Sequence, residues 1–383
     1  MSQWPMVKLG DVCERKIPKW DRNGKKKYID ISTVSPETKK VESPQDVLGE
    51  DAPSRAQQII QTDDVLVSTV RPNLNAVAKI PSTFNGHIAS TGFCVLRATE
   101  KIDPGFLFHF VQTQAFIQQC INKSTGISYP STTANKIREI QIPLPPLEEQ
   151  RRIAQVLTQT SLNISNTKQR IDLLNTICRT PIFANPSRPS TELKEYIRTI
   201  STGKSVKDTS DPNSGNKILK ISAVTSGFFK GNETKYLPVE YSPKESHAVD
   251  YGNLLVSRAN TSEMIGASAL VDQDESNVFL PDKLWKIIPA KDVSKEAIWH
   301  LLQLPTIRKR MSQVATGSSG SMKNISQRSF LKVEVPDLTL SEISSITEVV
   351  KRILSTRKLL LKKLTLLEEL HQSLATRAFA GQL

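Results

Sequence analysis

The sequence predicts a mixed α/β protein: two globular α/β domains joined by two long antiparallel coiled-coil helices, in a pseudo-two-fold repeat. Three observations predict it. An abrupt helix start, Pro143-Leu-Pro-Pro-Leu-Glu-Glu-Gln-Arg-Arg-Ile-Ala-Gln-Val-Leu157, is answered half a chain later by Val335-Pro-Asp-Leu-Thr-Leu-Ser-Glu-Ile-Ser-Ser-Ile-Thr-Glu-Val-Val350. Apolar residues repeat every seven positions after each start. Short β-rich runs bounded by turn residues fill the stretch before each start. A chain of 383 residues has room for two ordinary domains and their connectors. The boundaries fall at 1–146 for the first globule, 147–185 for the central helix, 186–336 for the second globule and 337–383 for the C-terminal helix.

The repeat extends into the globules. Lys8-Leu9-Gly10-Asp11-Val12 is answered by Glu192-Leu193-Lys194-Glu195-Tyr196-Ile197, and Tyr28-Ile-Asp-Ile-Ser32 by Ile218-Leu-Lys-Ile-Ser222. Asp64-Val-Leu-Val-Ser-Thr-Val-Arg71 is answered by Asn253-Leu-Leu-Val-Ser-Arg-Ala-Asn260, and Ser124-Thr-Gly-Ile-Ser-Tyr-Pro130 by Ala315-Thr-Gly-Ser-Ser-Gly-Ser321. Strands are expected at 65–70, 93–96, 254–257 and 284–288. Helices are expected at 106–122 and 295–314, where apolar residues recur at three- and four-residue spacing.

The long helices carry their own start and stop signals. Pro145 and Pro146 sit where a proline ring costs least, and Glu148 and Glu149 place negative charge against the helix N-terminus. Thr339 and Glu342 form a capping box for the second helix. Pro181 stops the first, and Gly381 is positioned to cap the second. In the first helix Ile153, Leu157, Ile164, Ile171 and Cys178 lie along the stripe. In the second, Ile346, Ile353, Leu360, Leu367 and Leu374 are seven apart. Leu359, Leu361 and Leu364 exceed one seam, which leaves apolar surface either for a partner or for the chain's own globules.

The formal net charge is +13, spread evenly: 18 basic against 14 acidic side chains in residues 1–146, and 21 against 16 in residues 187–336. A basic balance favours a polyanion through phosphate contacts and counterion release. Four scattered cysteines without a C-x-x-C pair point to ordinary buried thiols in a reducing cytosol. No secretion signal or membrane-spanning run is read, so a cytoplasmic location is expected. The five histidines lack metal-ligand spacing, and there is no glycine-rich nucleotide loop and no nuclease or methyltransferase constellation. The chain is therefore expected to be a non-catalytic protein, without metal or cofactor of its own.

Three sets of residues are candidates for DNA contact. The first is basic, with Lys25 and Lys26 in the first copy and Lys204 and Lys207 in the second. These suit phosphate contacts, or are simply a solvated charge run. The second follows a β segment: Arg71, Asn73 and Asn75 in one copy, Arg258, Asn260 and Thr261 in the other. Arginine and asparagine make bidentate contacts to guanine and adenine edges, although asparagine and proline also simply make turns. The third lies in a polar loop: Ser128, Tyr129, Asn135 and Lys136, answered by Ser319, Ser321, Lys323 and Asn324. Its glycines and hydroxyls leave backbone N–H groups open to phosphate, unless it is merely a flexible loop.

At these residues the chain resembles the specificity subunit of type I restriction–modification systems. The resemblance rests on the helix start at 143–157, on Thr316-Gly-Ser-Ser-Gly-Ser-Met-Lys-Asn-Ile-Ser326 and on the ending Leu374-Ala-Thr-Arg-Ala-Phe-Ala-Gly-Gln-Leu383. It spans essentially the whole chain. The second copy departs from the pattern where Asp337-Leu-Thr-Leu-Ser-Glu replaces the usual Pro-Leu-Glu-Glu-Gln. The resemblance implies two target recognition domains, each reading one half of a split double-stranded DNA site. It implies long helices that set the half-site spacing and bind two methyltransferase subunits, with restriction/translocase subunits joining the complex. S-adenosylmethionine, ATP and Mg2+ would belong to those partners. Leu147, Ile153, Leu157, Leu360, Leu367, Leu374 and Phe379 are the candidate partner-binding residues. The competing reading is a coiled-coil scaffold without sequence-specific DNA recognition. It accounts for the heptads, but not for the repeated polar loops.

Overall fold

The computed structural model describes residues 4–126, 130–183, 187–206, 213, 215–317 and 322–383. It divides into two compact units, one of residues 1–168 with 363–383 and one of residues 169–362. Each long helix, Leu147–Ile177 and Leu340–Phe379, starts in one unit and ends in the other.

In the first unit a three-stranded antiparallel sheet places Val65–Ser68 between Val77–Lys79 and Phe93–Leu96. These strands form because β-branched and aromatic residues fill them, and every residue of the two longer ones is buried. Asp64, just before the first of them, takes Arg97 in a bidentate pair, Nε to Oδ1 and Nη2 to Oδ2, both 2.8 Å. A second sheet pairs Lys25–Ile29 with Ile88–Ser90 in parallel, with Gln45–Leu48 and Ala56–Ile59 antiparallel at its edges. A short ribbon of Met6–Lys8 and Gln141–Pro143 closes the globule at the foot of the central helix.

The second unit repeats the central strands of this plan with different edges: one sheet gains an edge strand, and the other has three strands in place of four. Leu254–Ser257 lies between Ser268–Leu270 and Leu284–Pro289, with Ile197–Thr202 added at the edge. Lys217–Leu219 pairs in parallel with Val278–Phe279 and antiparallel with Thr234–Tyr236. Ser190–Glu192 and Glu334–Pro336 make the closing ribbon. The matching register across two different sequences is the structural form of the repeat.

The helices expected at 106–122 and 295–314 are each two helices. Pro104–Phe110 gives way to Gln114–Asn122 because Thr113 turns out of the helix and caps the next one, its hydroxyl accepting from the Phe116 N–H at 3.2 Å. Lys295–Gln303 ends before Pro305, which has no N–H to continue the ladder and begins Pro305–Val314 instead. Apolar spacing runs through both breaks, so periodicity alone hides them.

The long helices follow their signals. Glu342 completes the capping box: the Thr339 N–H donates to Glu342 Oε2 at 2.9 Å, and the Glu342 N–H donates to Thr339 Oγ1 at 3.3 Å. Gly381 is left-handed (φ 75°), and the Gln382 N–H returns to the Arg377 carbonyl at 2.9 Å. Gln150, buried in the first start, accepts from the Asp103 N–H (2.8 Å) and donates to the Pro145 carbonyl (2.8 Å), strapping helix to globule. The position 193 residues on is Ile343, buried in an apolar cluster. At this position the second copy therefore replaces a polar strap with an apolar plug.

The heptad stripe is buried at Ile153, Leu157, Thr160, Thr167, Ile171 and Cys178, and on the other helix at Ile346, Val350, Ile353, Leu360 and Ala378. The helices run antiparallel. In the first unit Thr160 Oγ1 meets His371 Nδ1 at 2.7 Å and Lys168 pairs with Glu368 at 2.8 Å. In the second, Arg357 donates to Asn175 Oδ1 at 2.9 Å and lies 3.7 Å over the Phe228 ring. Among the candidate partner-binding residues, Ile153 and Leu157 are 1% exposed and belong to the chain's own core. Leu360 is also buried, Leu374 packs on the core of the first unit, and Phe379 meets Phe106 at a tilt and Phe110 edge-on. Leu147 and Leu367 are half-buried. The exposed leucines are others: Leu340, Leu359, Leu361, Leu366 and Leu370 on the C-terminal helix, and Leu162 and Leu173 on the central one. A heptad seam selects for burial, so the most regular apolar positions are those least free to meet a partner.

Candidate nucleic-acid interface

In the first unit the chain leaves the buried strand Val65–Ser68 and turns sharply over residues 70–75. Arg71 and Asn75 are both left-handed (φ 49° and 50°) and bracket the one-turn helix Pro72–Leu74. Pro72 is buried and anchors the turn, while Arg71, Asn73 and Leu74 are exposed at its tip. Left-handed backbone is costly for an L side chain and is tolerated where surrounding contacts hold it. Those contacts come from the third candidate set. The Arg71 N–H donates to the Pro130 carbonyl at 2.8 Å, the Thr132 N–H donates to the Thr69 carbonyl at 2.8 Å, and Ser131 bridges both Val70 and Thr125. The Arg/Asn turn and the polar loop, separate in sequence, are one junction in space. Asn135 is exposed and Lys136 half-buried on the short helix Ala134–Arg138 that follows, capped by Thr133.

The same junction exists in the second unit. Ala259–Asn260 pairs antiparallel with Lys323–Asn324, Thr316 bridges Asn324, and the Ile325 N–H donates to the Arg258 carbonyl at 2.9 Å. Val70, Ser131 and Thr125 thus correspond to Ala259, Asn324 and Thr316. The presentation differs. The first copy uses a left-handed turn, the second a strand. Arg258 is half-buried with its Nε on the Asp282 carbonyl at 2.9 Å, and Asn260 Oδ1 accepts from the Thr261 N–H at 2.9 Å. Thr261 and Asn324 are exposed, and Lys323 reaches the Ser312 carbonyl at 3.3 Å.

One expectation needs correcting. Asn75 is not at the tip of the turn. It is buried, and its Nδ2 donates to the Val111 carbonyl at 2.8 Å. Its role is the turn chemistry that asparagine also offers. Lys25 and Lys26, the candidates for phosphate contact, lie apart from this junction. Lys26 Nζ donates to the Gly86 carbonyl, before strand Ile88–Ser90, whereas the Thr69 N–H meets the Gly92 carbonyl after it. Lys25 is paired with Asp46 at 3.3 Å. In the second unit Lys204 is exposed, 5.9 Å over the Tyr241 ring. Ser128, Tyr129, Lys207, Ser319 and Ser321 lie outside the described residues.

Other basic residues at the first junction were not singled out from the sequence. Lys39 contacts Asn75 directly, Lys40 is exposed next to it, and exposed Arg55 accepts at its carbonyl from the Thr91 N–H. They sit 16 or more residues from the nearest Arg/Asn pair, so no local motif marks them. Among the described residues no cluster of three His, Cys, Asp or Glu suited to a metal occurs, and no helix is long and apolar enough to cross a membrane. Burial pushes the thiols of Cys13, Cys94 and Cys120 up to about 12, which makes them inert packing groups.

Comparison with known proteins gives a consistent picture. Residues 1–176 match the family described as the type I restriction modification DNA specificity domain. The chain is 26% identical over 359 residues to the EcoKI specificity subunit of Escherichia coli K12, across 86% of this chain and 76% of that protein. It is 24% identical over 290 residues to the MjaVIII specificity subunit of Methanocaldococcus jannaschii, across 70% and 67%. It shares its fold with a chain from a solved type I R-M system (TM-score 0.56, 23% identity, 99% and 98% covered). It shares it also with the S subunit from M. genitalium (TM-score 0.63, 12% identity, 99% and 96% covered).

Proposed function

We propose that the chain is a specificity subunit of a type I restriction–modification system, and that it reads a split duplex-DNA target, one half with each globule. The observation that carries this reading is the duplicated junction: the same backbone pairing built twice, carrying different side chains. Like frames with unlike surfaces suit a target with two unrelated halves. Arginine and asparagine at the tips supply base-edge contacts, and the basic surfaces supply the salt-dependent phosphate contacts.

In this reading the long helices set the spacing of the half-sites and dock two methyltransferase subunits, to which restriction/translocase subunits add. S-adenosylmethionine, ATP and Mg2+ act in those partners, and this chain contributes recognition without catalysis, in the cytoplasm. The exposed leucines at 359, 366 and 370 favour the C-terminal helix as one docking face. The test is selection from a duplex library with randomised bases, using the chain assembled with its methyltransferase. Enrichment of two short fixed motifs at constant spacing supports the reading; enrichment without any sequence motif refutes it.

A further inference from the structure

Among the described residues, the first junction has a prop with no counterpart at the second. Lys39 is half-buried at the end of a hairpin turn, itself left-handed (φ 55°), with its N–H on the Ser35 carbonyl at 3.0 Å. Its Nζ donates twice to one residue: to the Asn75 carbonyl at 2.7 Å and to Asn75 Oδ1 at 2.8 Å. Asn75 in turn holds the Val111 carbonyl through Nδ2. A hairpin, a turn and a helix end, 36 residues apart from one to the next, are thus pinned by one ammonium and one amide. Burial of an ammonium is unfavourable unless its donors are well used. Here burial lowers the Lys39 pKa to about 8 against the opposing pull of Glu37. That cost is met at the base of a turn with two strained residues, Arg71 and Asn75, whose exposed tip carries Arg71 and Asn73. In the second unit neither Arg258 nor Asn260 has a positive φ, and pairing with Lys323–Asn324 holds the strand by backbone bonds.

We propose that Lys39 is a positioning residue for recognition of the first DNA half-site, holding the Arg71–Asn73 tip in its reading shape through Asn75 rather than by touching DNA. The inference rests on the split-target reading above. It assigns Lys39 a job distinct from that of the surface lysines. A phosphate contact would add non-specific affinity and steepen the salt dependence, whereas a prop sharpens one half of the target and leaves the salt dependence alone.

The experiment selects duplexes from a library randomised over both half-sites, using the assembled complex with wild-type chain, Lys39→Met, Lys39→Arg and Asn75→Gly, and measures affinity for the wild-type consensus against salt. Two motifs with wild-type chain establish the reading; their absence refutes both it and the inference. Given two motifs, Lys39→Met is expected to lower discrimination at the first half by about tenfold. The second half and the salt slope should be unchanged. Asn75→Gly, which keeps the left-handed backbone but removes both side-chain bonds, should do the same, and Lys39→Arg should restore part of the first motif. The inference is overturned if Lys39→Met leaves the first motif intact, if it lowers the salt slope by about one phosphate contact, or if it degrades both halves equally.

Discussion

At the scale of single residues, the structure separates exposed side chains from those that hold other side chains in place. Asn73 is exposed at the tip of the first turn, while Asn75, two residues on, is buried at its base. Asn73→Ala is expected to relax the first half-site by about 1–3 kcal/mol at one base position and to leave the second half unchanged, measured by binding to single-base variants of the target. Arg258→Ala should affect the second half only. Glu342 offers a pH test of a different kind. The Arg188 guanidinium beside it, with the Thr339 cap, holds its carboxyl down to about 2, well below its ordinary value of 4.5. An acid depressed in the folded state stabilises while ionised, so its contribution is whole above about pH 4.5 and fades as pH falls toward 2. Urea midpoints of wild type and Glu342→Gln should therefore differ at pH 6 and converge as the pH falls below 4. A constant difference would place the stabilisation elsewhere.

At the scale of elements, the long helices show what periodicity reveals and what it conceals. Their starts, caps and seams are legible because each depends on residues within one or two turns: Glu342 finds Thr339 three positions away, and Gly381 closes the turn it ends. The breaks at Thr113 and Leu304 are hidden because apolar spacing continues across them, and a single cap or proline decides the outcome. Heptad regularity also misdirects the search for a docking face, since Ile153 and Leu157 are regular because they are core. Ile153→Ala is expected to cost about 2–5 kcal/mol of stability in chemical denaturation. Leu366→Ala and Leu370→Ala should leave the melting midpoint within about 2 °C, since surface substitutions change stability little, while weakening assembly with the methyltransferase in size-exclusion titrations. The helices also bear on spacing. Seven residues added to each preserve the seam and lengthen it by about 10 Å. Methylation-site mapping should then show a longer spacer between unchanged half-sites.

At the scale of the whole molecule, the repeat was legible in the sequence as recurring short motifs, and the matching strand registers of the two units are its structural counterpart. The grouping of the site was only half legible. Arg71 and Arg258 stand next to strands that the sequence marks, but their union with loops some 60 residues later depends on pairings such as Val70 with Ser131 and Asn260 with Lys323. Lys25 and Lys26 formed the densest basic run, yet they lie beyond the far end of the strand whose other end meets the junction. Lys39 is the reverse case: a member of a mere Lys39-Lys40 pair, whose proposed role comes from a contact 36 residues away. Charge density along a chain therefore suits a polyanion partner without marking the junction. The central claim is that two unlike readers on like frames recognise two unlike half-sites. It is tested most directly by mapping methylated positions across the genome of cells carrying this chain and its methyltransferase. The account predicts one motif of two unrelated short halves at fixed spacing, with Asn73 and Arg258 substitutions each degrading a different half. A palindromic motif, or one in which both substitutions degrade the same half, would contradict it.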